Sequence, residues 1–269
     1  MTLAIGIDVG GTKIAAGLVD TATGSVEERF EVPTDAGRPA AAVLADCVSL
    51  ADELAEGHGG TPIGMGVCEL VDREGRTRSA VSIDWRGIDL ARAFGRLGRA
   101  AIESDVRAAA TAEAHFGAGR GVAELLYVTV STGISHCLVL DGRAYAGARG
   151  NAICTGAPML ELTASGLALA AAGGRERAQD VLADPSLDGV VESAAAALGT
   201  GLAALVNALD PGVVVIGGGL GLNDRYRELA VATMRVIIFA DDTRRLPVLP
   251  AQLGADAGVI GAALAAVRA

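Results

Sequence analysis

The stretch Ile5-Gly6-Ile7-Asp8-Val9-Gly10-Gly11-Thr12-Lys13 decides how the rest of the chain is read. Residues 3–9 form an apolar run that reads as a buried strand. Gly10-Gly11 is expected to turn the chain tightly through positive φ, which glycine adopts without steric cost. A second apolar run, residues 14–19, returns at hairpin spacing. The turn thus offers bare N–H groups, the Thr12 hydroxyl and the Lys13 ammonium, a set suited to phosphate oxygens. Asp8 stands where a carboxylate holds a hydrated magnesium ion against such a phosphate. A hairpin that only makes a turn fits the same letters, because short glycine-rich motifs are common. Lys13 is the only lysine among the 22 Lys and Arg residues, so it is not one of a scattered surface set.

At 269 residues the chain has room for two lobes, each with its own core. Hydrophobic residues make up 51% and aromatics only 3%, so packing must rely on Val, Ile, Leu and Ala. The net charge of −10 argues against non-specific binding to nucleic acid or an anionic membrane. An anionic ligand must then be met by a local positive site, which again points to Lys13. No basic segment precedes the first apolar run, so no signal peptide is expected. Nor does an apolar stretch reach spanning length without a charge or a glycine-rich break. Cys47, Cys68, Cys137 and Cys154 lie far apart and form no Cys-x-x-Cys pair. They read as buried thiols in a reducing cytoplasm, not as a zinc site.

Further along, residues 24–32 continue the sheet to Pro33, and residues 40–56 are apolar at helical spacing. Strands are expected over 63–68 and 100–103, with a loop and short helix carrying Trp85 between them. An Ala-rich helix follows over 106–116. A second strand-turn-strand unit spans 125–140, turned by Ser131-Thr132-Gly133, and echoes the opening hairpin. Helices are expected over 161–171, 189–209, 226–239 and 257–267, with a buried strand at 213–216 and an edge strand at 248–253. The lobes divide as residues 1–108, joined by the returning 257–269 helix, and residues 109–256.

Gly10-Gly11-Thr12-Lys13 and Ser131-Thr132-Gly133 are both suited to phosphates, and Gly217-Gly218-Gly219 permits close backbone approach to a flat ring. Together they describe a nucleotide held between lobes. Asp105 lies at the start of the Ala-rich helix, where the dipole favours an ionised carboxylate. Facing a cleft, it can take a proton from a hydroxyl attacking a phosphoryl group. Its plainer reading is a helix N-cap.

Taken in order, these motifs resemble the ROK family of sugar kinases, within the α/β, two-lobed actin-like ATPase (ribonuclease H-like) fold. The resemblance is carried by residues 5–20 (IGIDVGGTKIAAGLVD), 103–121 (ESDVRAAATAEAHFGAGRG), 127–150, 207–219 (NALDPGVVVIGGG) and 253–263 (LGADAGVIGAA). It implies ATP-dependent phosphorylation of a sugar hydroxyl, primary by family habit, in a cleft between the lobes. Asp105 would be the general base and Asp8 would help place Mg2+ through water. Gly10, Gly11, Thr12, Lys13, Thr132 and Gly133 would cradle phosphates, and Gly217, Gly218 and Gly219 would border the adenosine. Glu161 aligns with a sugar-contacting glutamate; a helix N-terminal carboxylate is its plain alternative. The resemblance also implies a homodimer.

The departures from the family fall on the sugar side. Ser104 replaces an Asn before the catalytic Asp, Arg107 replaces a second Asn, and Val81-Ser82 replaces a Pro-Asn pair. The Gly-Glu-Ile-Gly-His segment reads Ile153-Cys154-Thr155-Gly156-Ala157, and the Cys/His zinc loop that follows it is missing, so no structural zinc is expected. Buried hydroxyls left unpaired cost about 1–3 kcal/mol each. The expected substrate is therefore not plain glucose but an amino sugar, deoxy sugar or cyclitol. Ser82, Ser104, Arg107, His136 and Cys154 are the candidate contacts. For the last three, a surface arginine, a packed histidine and a buried thiol are the bland readings. A catalytically silent nucleotide- or sugar-binding relative is the competing function. The repressor branch is disfavoured, because the first strand begins at Leu3 and leaves no room for a DNA-binding module.

Overall fold

The computed structural model describes residues 2–98, 100–154 and 159–268. The chain divides into two compact units: residues 1–120, 143–152 and 255–269 in the first, and residues 121–142 and 153–254 in the second.

In the first unit, β1 (Leu3–Val9) and β2 (Lys13–Asp20) form the opening hairpin, pairing Val9 with Ile14. Strand β3 (Ser25–Pro33) extends the sheet from β2. On the other side, β4 (Ile63–Val67) and β5 (Ala100–Ser104) run parallel to β1, giving the order β3-β2-β1-β4-β5. Helix α1 (Ala40–Leu54) lays Val43, Leu44, Cys47, Leu50 and Leu54 on this sheet. Side chains of this size contribute about 1.5–3 kcal/mol each when fully buried. The short α2 (Leu90–Ala93) and the buried Trp85 and Phe94 complete that core. Helix α3 is Asp105–Phe116.

The two remaining segments of this unit come from later in the chain. One opens with the two-residue strand β8 (Arg143–Ala144), after β6 (Glu124–Val130) and β7 (Ile134–Leu140) of the second unit. The other carries the last helix, α9 (Ala257–Arg268), which packs on β1, β4 and α3. Glycines set its close approach. A Cβ on Gly6 or Gly64 would collide with carbonyl oxygens of α9, and one on Gly261 would collide with Ala108 of α3.

In the second unit the strand order is β10-β9-β6-β7. Strands β9 (Val213–Gly217) and β10 (Val248–Pro250) run parallel to β6, and β7 returns from β6 as a hairpin. The arrangement repeats that of β4, β1 and β2. Residues 161–171, expected as one helix, are two: α4 (Glu161–Ala164) and α5 (Gly166–Ala172). Ser165 breaks them, because its extended backbone ends α4 and its hydroxyl caps α5 at Ala168 N–H. Three more helices follow, the short α6 (Ala178–Leu182), α7 (Asp188–Leu209) and α8 (Asp224–Ile237), and α7 packs against α8. With the turn before it, α7 is the one helix among the described residues long and apolar enough to cross a membrane. Its apolar stripe, Val191, Ala195, Leu198, Leu202 and Val206, is core.

Candidate active site

Parallel strands discharge their loops at one edge, and ligands in α/β sheets bind outside those carboxyl ends. In the first unit that edge holds Asp8 near the end of β1, Cys68 and Glu69 after β4, and Asp105 after β5. The register aligns Val9, Val67 and Ser104 across the three strands. Gly66 separates the two aspartates: a methyl there would sit 3.7 Å from both Asp8 Oδ1 and the Asp105 Cα. Gly258 at the start of α9 lies against the Asp8 carboxylate with no room for a side chain.

This crowding decides the electrostatics. Loss of solvent, and then the charge of Asp105, push Asp8 up to about 7 against the pull of Lys13. Asp105 is also held above the ordinary carboxylate range by burial. Hydrogen bonds from the Cys68 thiol, the Val106 N–H at 2.7 Å and the Ser104 hydroxyl at 3.4 Å oppose that rise. Asp105 is not the N-cap of α3. Ser104 holds that position, and Asp105 is the first helical residue.

The β1–β2 turn differs from its expectation. Neither Gly10 nor Gly11 has positive φ. The turn closes through Gly10 N–H to the Lys13 carbonyl at 2.9 Å, and the Thr34 hydroxyl donates to the Gly10 carbonyl at 2.7 Å. Nothing lies within 4 Å of a Cβ built on Gly11. Glycine here leaves a bare, exposed backbone instead of relieving strain. Lys13 reaches Glu31 on β3 at 2.9 Å, and both side chains are exposed. Such a surface pair is weak and easily exchanged for a better anion.

The second unit repeats the layout at its own carboxyl edge. Ser131-Thr132-Gly133 follows β6, and Ser131 N–H donates to the Gly133 carbonyl at 2.9 Å. Gly217 ends β9, and Gly218-Gly219 follow it. Only Gly218 has positive φ, at 82°, and a Cβ there would strike Val130; the space around Gly219 is open. Glu161 opens α4 with its carboxylate against Gly133, so it borders the second turn.

The expected sugar contacts are divided between the units. Ser82 is half-buried in the first, and its N–H donates to Glu69 at 2.7 Å. Ser104 is fully buried. Arg107 is neither a surface arginine nor a free cation. The residue is 2% exposed, and its guanidinium donates to Glu103 at 2.6 Å, the Gly150 carbonyl at 2.7 Å and the Val71 carbonyl at 2.8 Å. It braces three segments of the first unit. In the second unit, Cys154 bridges to Ser135 on β7, and His136 N–H donates to the Ile153 carbonyl at 3.2 Å. This brings Cys154 and His136 onto one short ladder, and burial lowers the His136 pKa.

The cysteine expectation needs correcting. Cys47 and Cys137 are buried, but Cys154 is exposed because it sits on that edge ladder, and Cys68 is half-exposed beside Asp105. Thr155, Gly156, Ala157 and Pro158 lie outside the described residues. Sequence reading missed Cys68 and Glu69 as neighbours of Asp105. Their signal was positional: two polar residues directly after a buried strand parallel to β1.

The residues fit a magnesium nucleotide in one respect that is visible here. Asp8 is a half-buried carboxylate crowded against another carboxylate, a place where a dication offsets repulsion. No cluster of three or more His, Cys, Asp or Glu among the described residues makes a metal cage. An ion at Asp8 would therefore take most of its ligands from phosphate and water, as Mg2+ commonly does.

Two sheets, each with a turn-bearing hairpin beside parallel strands, define the two-lobed actin-like class. The ROK family model matches residues 4–160 and 153–269, and the chain belongs to that family. A glucokinase of Streptomyces coelicolor is 32% identical, covering 98% of this chain and 97% of its own. An N-acetylmannosamine kinase of Yersinia pseudotuberculosis is 30% identical, with 97% of each covered. The crystal structure of a ROK family glucokinase from Streptomyces griseus, in complex with glucose and AMPPNP, is 28% identical. It superposes with a TM-score of 0.83 over 99% of this chain and 100% of that one.

Proposed function

We propose that this ROK-family sugar kinase transfers the γ-phosphoryl group of ATP to a hydroxyl, primary by preference, of an amino sugar, deoxy sugar or cyclitol. The observation that carries the reading is the pair Asp8 and Asp105, raised together at one sheet edge beside the bare Gly10-Gly11 turn. Full-length similarity to kinases named for glucose and for N-acetylmannosamine supports a sugar acceptor.

In this reading Asp105 accepts the proton of the acceptor hydroxyl as its oxygen attacks the γ-phosphorus and the bond to ADP breaks. A raised pKa makes Asp105 the stronger base, provided the pH keeps it ionised. The Cys68, Val106 and Ser104 donors fix the carboxylate for that step. Bound at Asp8, Mg2+ would supply charge neutralisation for the phosphates. The Gly10 to Lys13 and Thr132-Gly133 turns present backbone N–H groups to them, and Lys13 leaves Glu31 to do so. Gly217 to Gly219 border the adenosine. Ser82 in the first unit and His136, Cys154 and Glu161 in the second are assigned to the acceptor, whereas Ser104, with no exposed surface, acts through its hydrogen bond to Asp105 and Arg107 braces the first unit. The acidic chain acts in the cytoplasm as a homodimer.

The test is ADP release with ATP and magnesium across glucose, N-acetylmannosamine, 2-deoxyglucose and myo-inositol. Higher kcat/KM for a sugar other than glucose supports the assignment. Preference for glucose over all others contradicts the substrate class, and no turnover with ATP still bound favours the silent relative.

A further inference from the structure

We infer that Glu69 fixes the acceptor-recognition loop of this chain, as a positioning residue that touches neither nucleotide nor acceptor. The inference rests on the reading of Ser82 as an acceptor contact and deepens it.

Glu69 is 3% exposed. Among the described residues no ion pair compensates its charge. A carboxylate so placed is tolerated only if hydrogen bonds replace its lost water. They come from a single short segment. Val81 N–H donates at 2.8 Å, Ser82 N–H at 2.7 Å and Ile83 N–H at 3.0 Å, and the Ser79 hydroxyl donates as well. The same hydroxyl accepts from Leu70 N–H at 2.8 Å. Three consecutive backbone N–H groups thus converge on one carboxylate, as in an anion-binding nest.

The loop's burial shows what the nest is for. Ile83 and Trp85 anchor its far end in the core, whereas Val81 is 84% exposed and Ser82 half-buried. The nest therefore presents residues 81 and 82 outward at a fixed angle. Its base is one residue from Cys68, whose thiol bonds the Asp105 carboxylate. The loop is thus tied to the chain that orients the proposed base.

An exposed valine beside a serine hydroxyl favours an acceptor with an apolar substituent next to a hydroxyl, such as a deoxy or N-acetyl sugar.

The test uses the full chain with two variants, Glu69→Gln and Ser79→Ala. It measures KM for the best-turned-over sugar and for ATP, with amide hydrogen exchange at Ser82 and Ile83. Glu69→Gln should raise the sugar KM about tenfold or more and leave the ATP KM within about twofold. Exchange at the two amides should quicken about tenfold. Ser79→Ala should act in the same direction, about two- to fourfold, and serves if Glu69→Gln does not fold. A sugar KM unchanged in the folded variants, or both KM values rising alike, overturns the inference. Full turnover by Asp105→Asn would instead overturn the reading of the site, and the exchange result would still judge the nest.

Discussion

The turns after β1 and β6 occupy equivalent places in their sheets yet are built in opposite ways. The first is open: nothing stands near Gly11, and Lys13 is held by an exposed glutamate. The second is clamped. Glu161 lies on Gly133, Gly166 N–H donates to the Ser131 carbonyl at 2.7 Å, and Ser165 caps the helix behind it. The difference teaches that two similar hairpins need not do equal work. In the proposed reading both turns meet the phosphates, and the open one, beside Asp8, takes the larger share of their charge. The clamped turn carries a carboxylate of its own and so suits a boundary between phosphate and acceptor.

The sharpest way to break that contrast is at Asp8. Asp8→Asn should lower kcat by about 10²-fold or more, because phosphoryl transfer depends on charge placed at the phosphates. The same variant should stabilise the ligand-free protein. The folded pKa of Asp8, about 7, lies above its unfolded value of 3.8. Its favourable contribution is therefore present below pH 4 and lost as pH rises through 7. At pH 8 the asparagine should gain about 1–2 kcal/mol by denaturant melts, and less at pH 5. Equal stability at both pH values would contradict the burial argument.

Next in size is Gly11→Ala. No atom blocks the methyl and φ is not positive, so the melting temperature should not move. The ATP KM should rise about tenfold, equivalent to about 1.4 kcal/mol, because the methyl occupies the space proposed for phosphate. A normal ATP KM would make this turn merely a turn. For the clamped turn, Glu161→Gln should raise the sugar KM a few-fold, by about 0.5–1 kcal/mol, with the ATP KM unchanged. A change in ATP KM alone would reverse the roles of the two turns. The smallest expected effect is none: a chelator should leave the melting temperature of the ligand-free protein unchanged, and a clear drop would point to structural zinc.

Much of this was legible because it lies in local pattern. The strand runs around Asp8 and Tyr127, the apolar stripe of α1 and the glycine turns can each be read within a dozen residues. The fold class and family followed from their order. What was not legible depends on residues far apart in sequence. Arg107 becomes a brace only because Val71 and Gly150 bring carbonyls to it. Glu69 acquires its meaning from N–H groups a dozen positions away. The long 161–171 helix was misjudged because Ser165 can serve as a helix residue or a cap, and tertiary contact with Ser131 decides. Gly10 and Gly11 were assigned positive φ from type alone, whereas the turn uses their lack of a side chain.

Asp105 carries the proposed phosphoryl transfer most directly. ADP release should be measured for Asp105→Asn beside wild type, with ATP binding followed separately. The prediction is a fall in kcat of about 10²–10⁴-fold with ATP affinity preserved, because the amide keeps the shape and loses the proton acceptor. Wild-type turnover by the asparagine variant would contradict the assignment of Asp105 as general base.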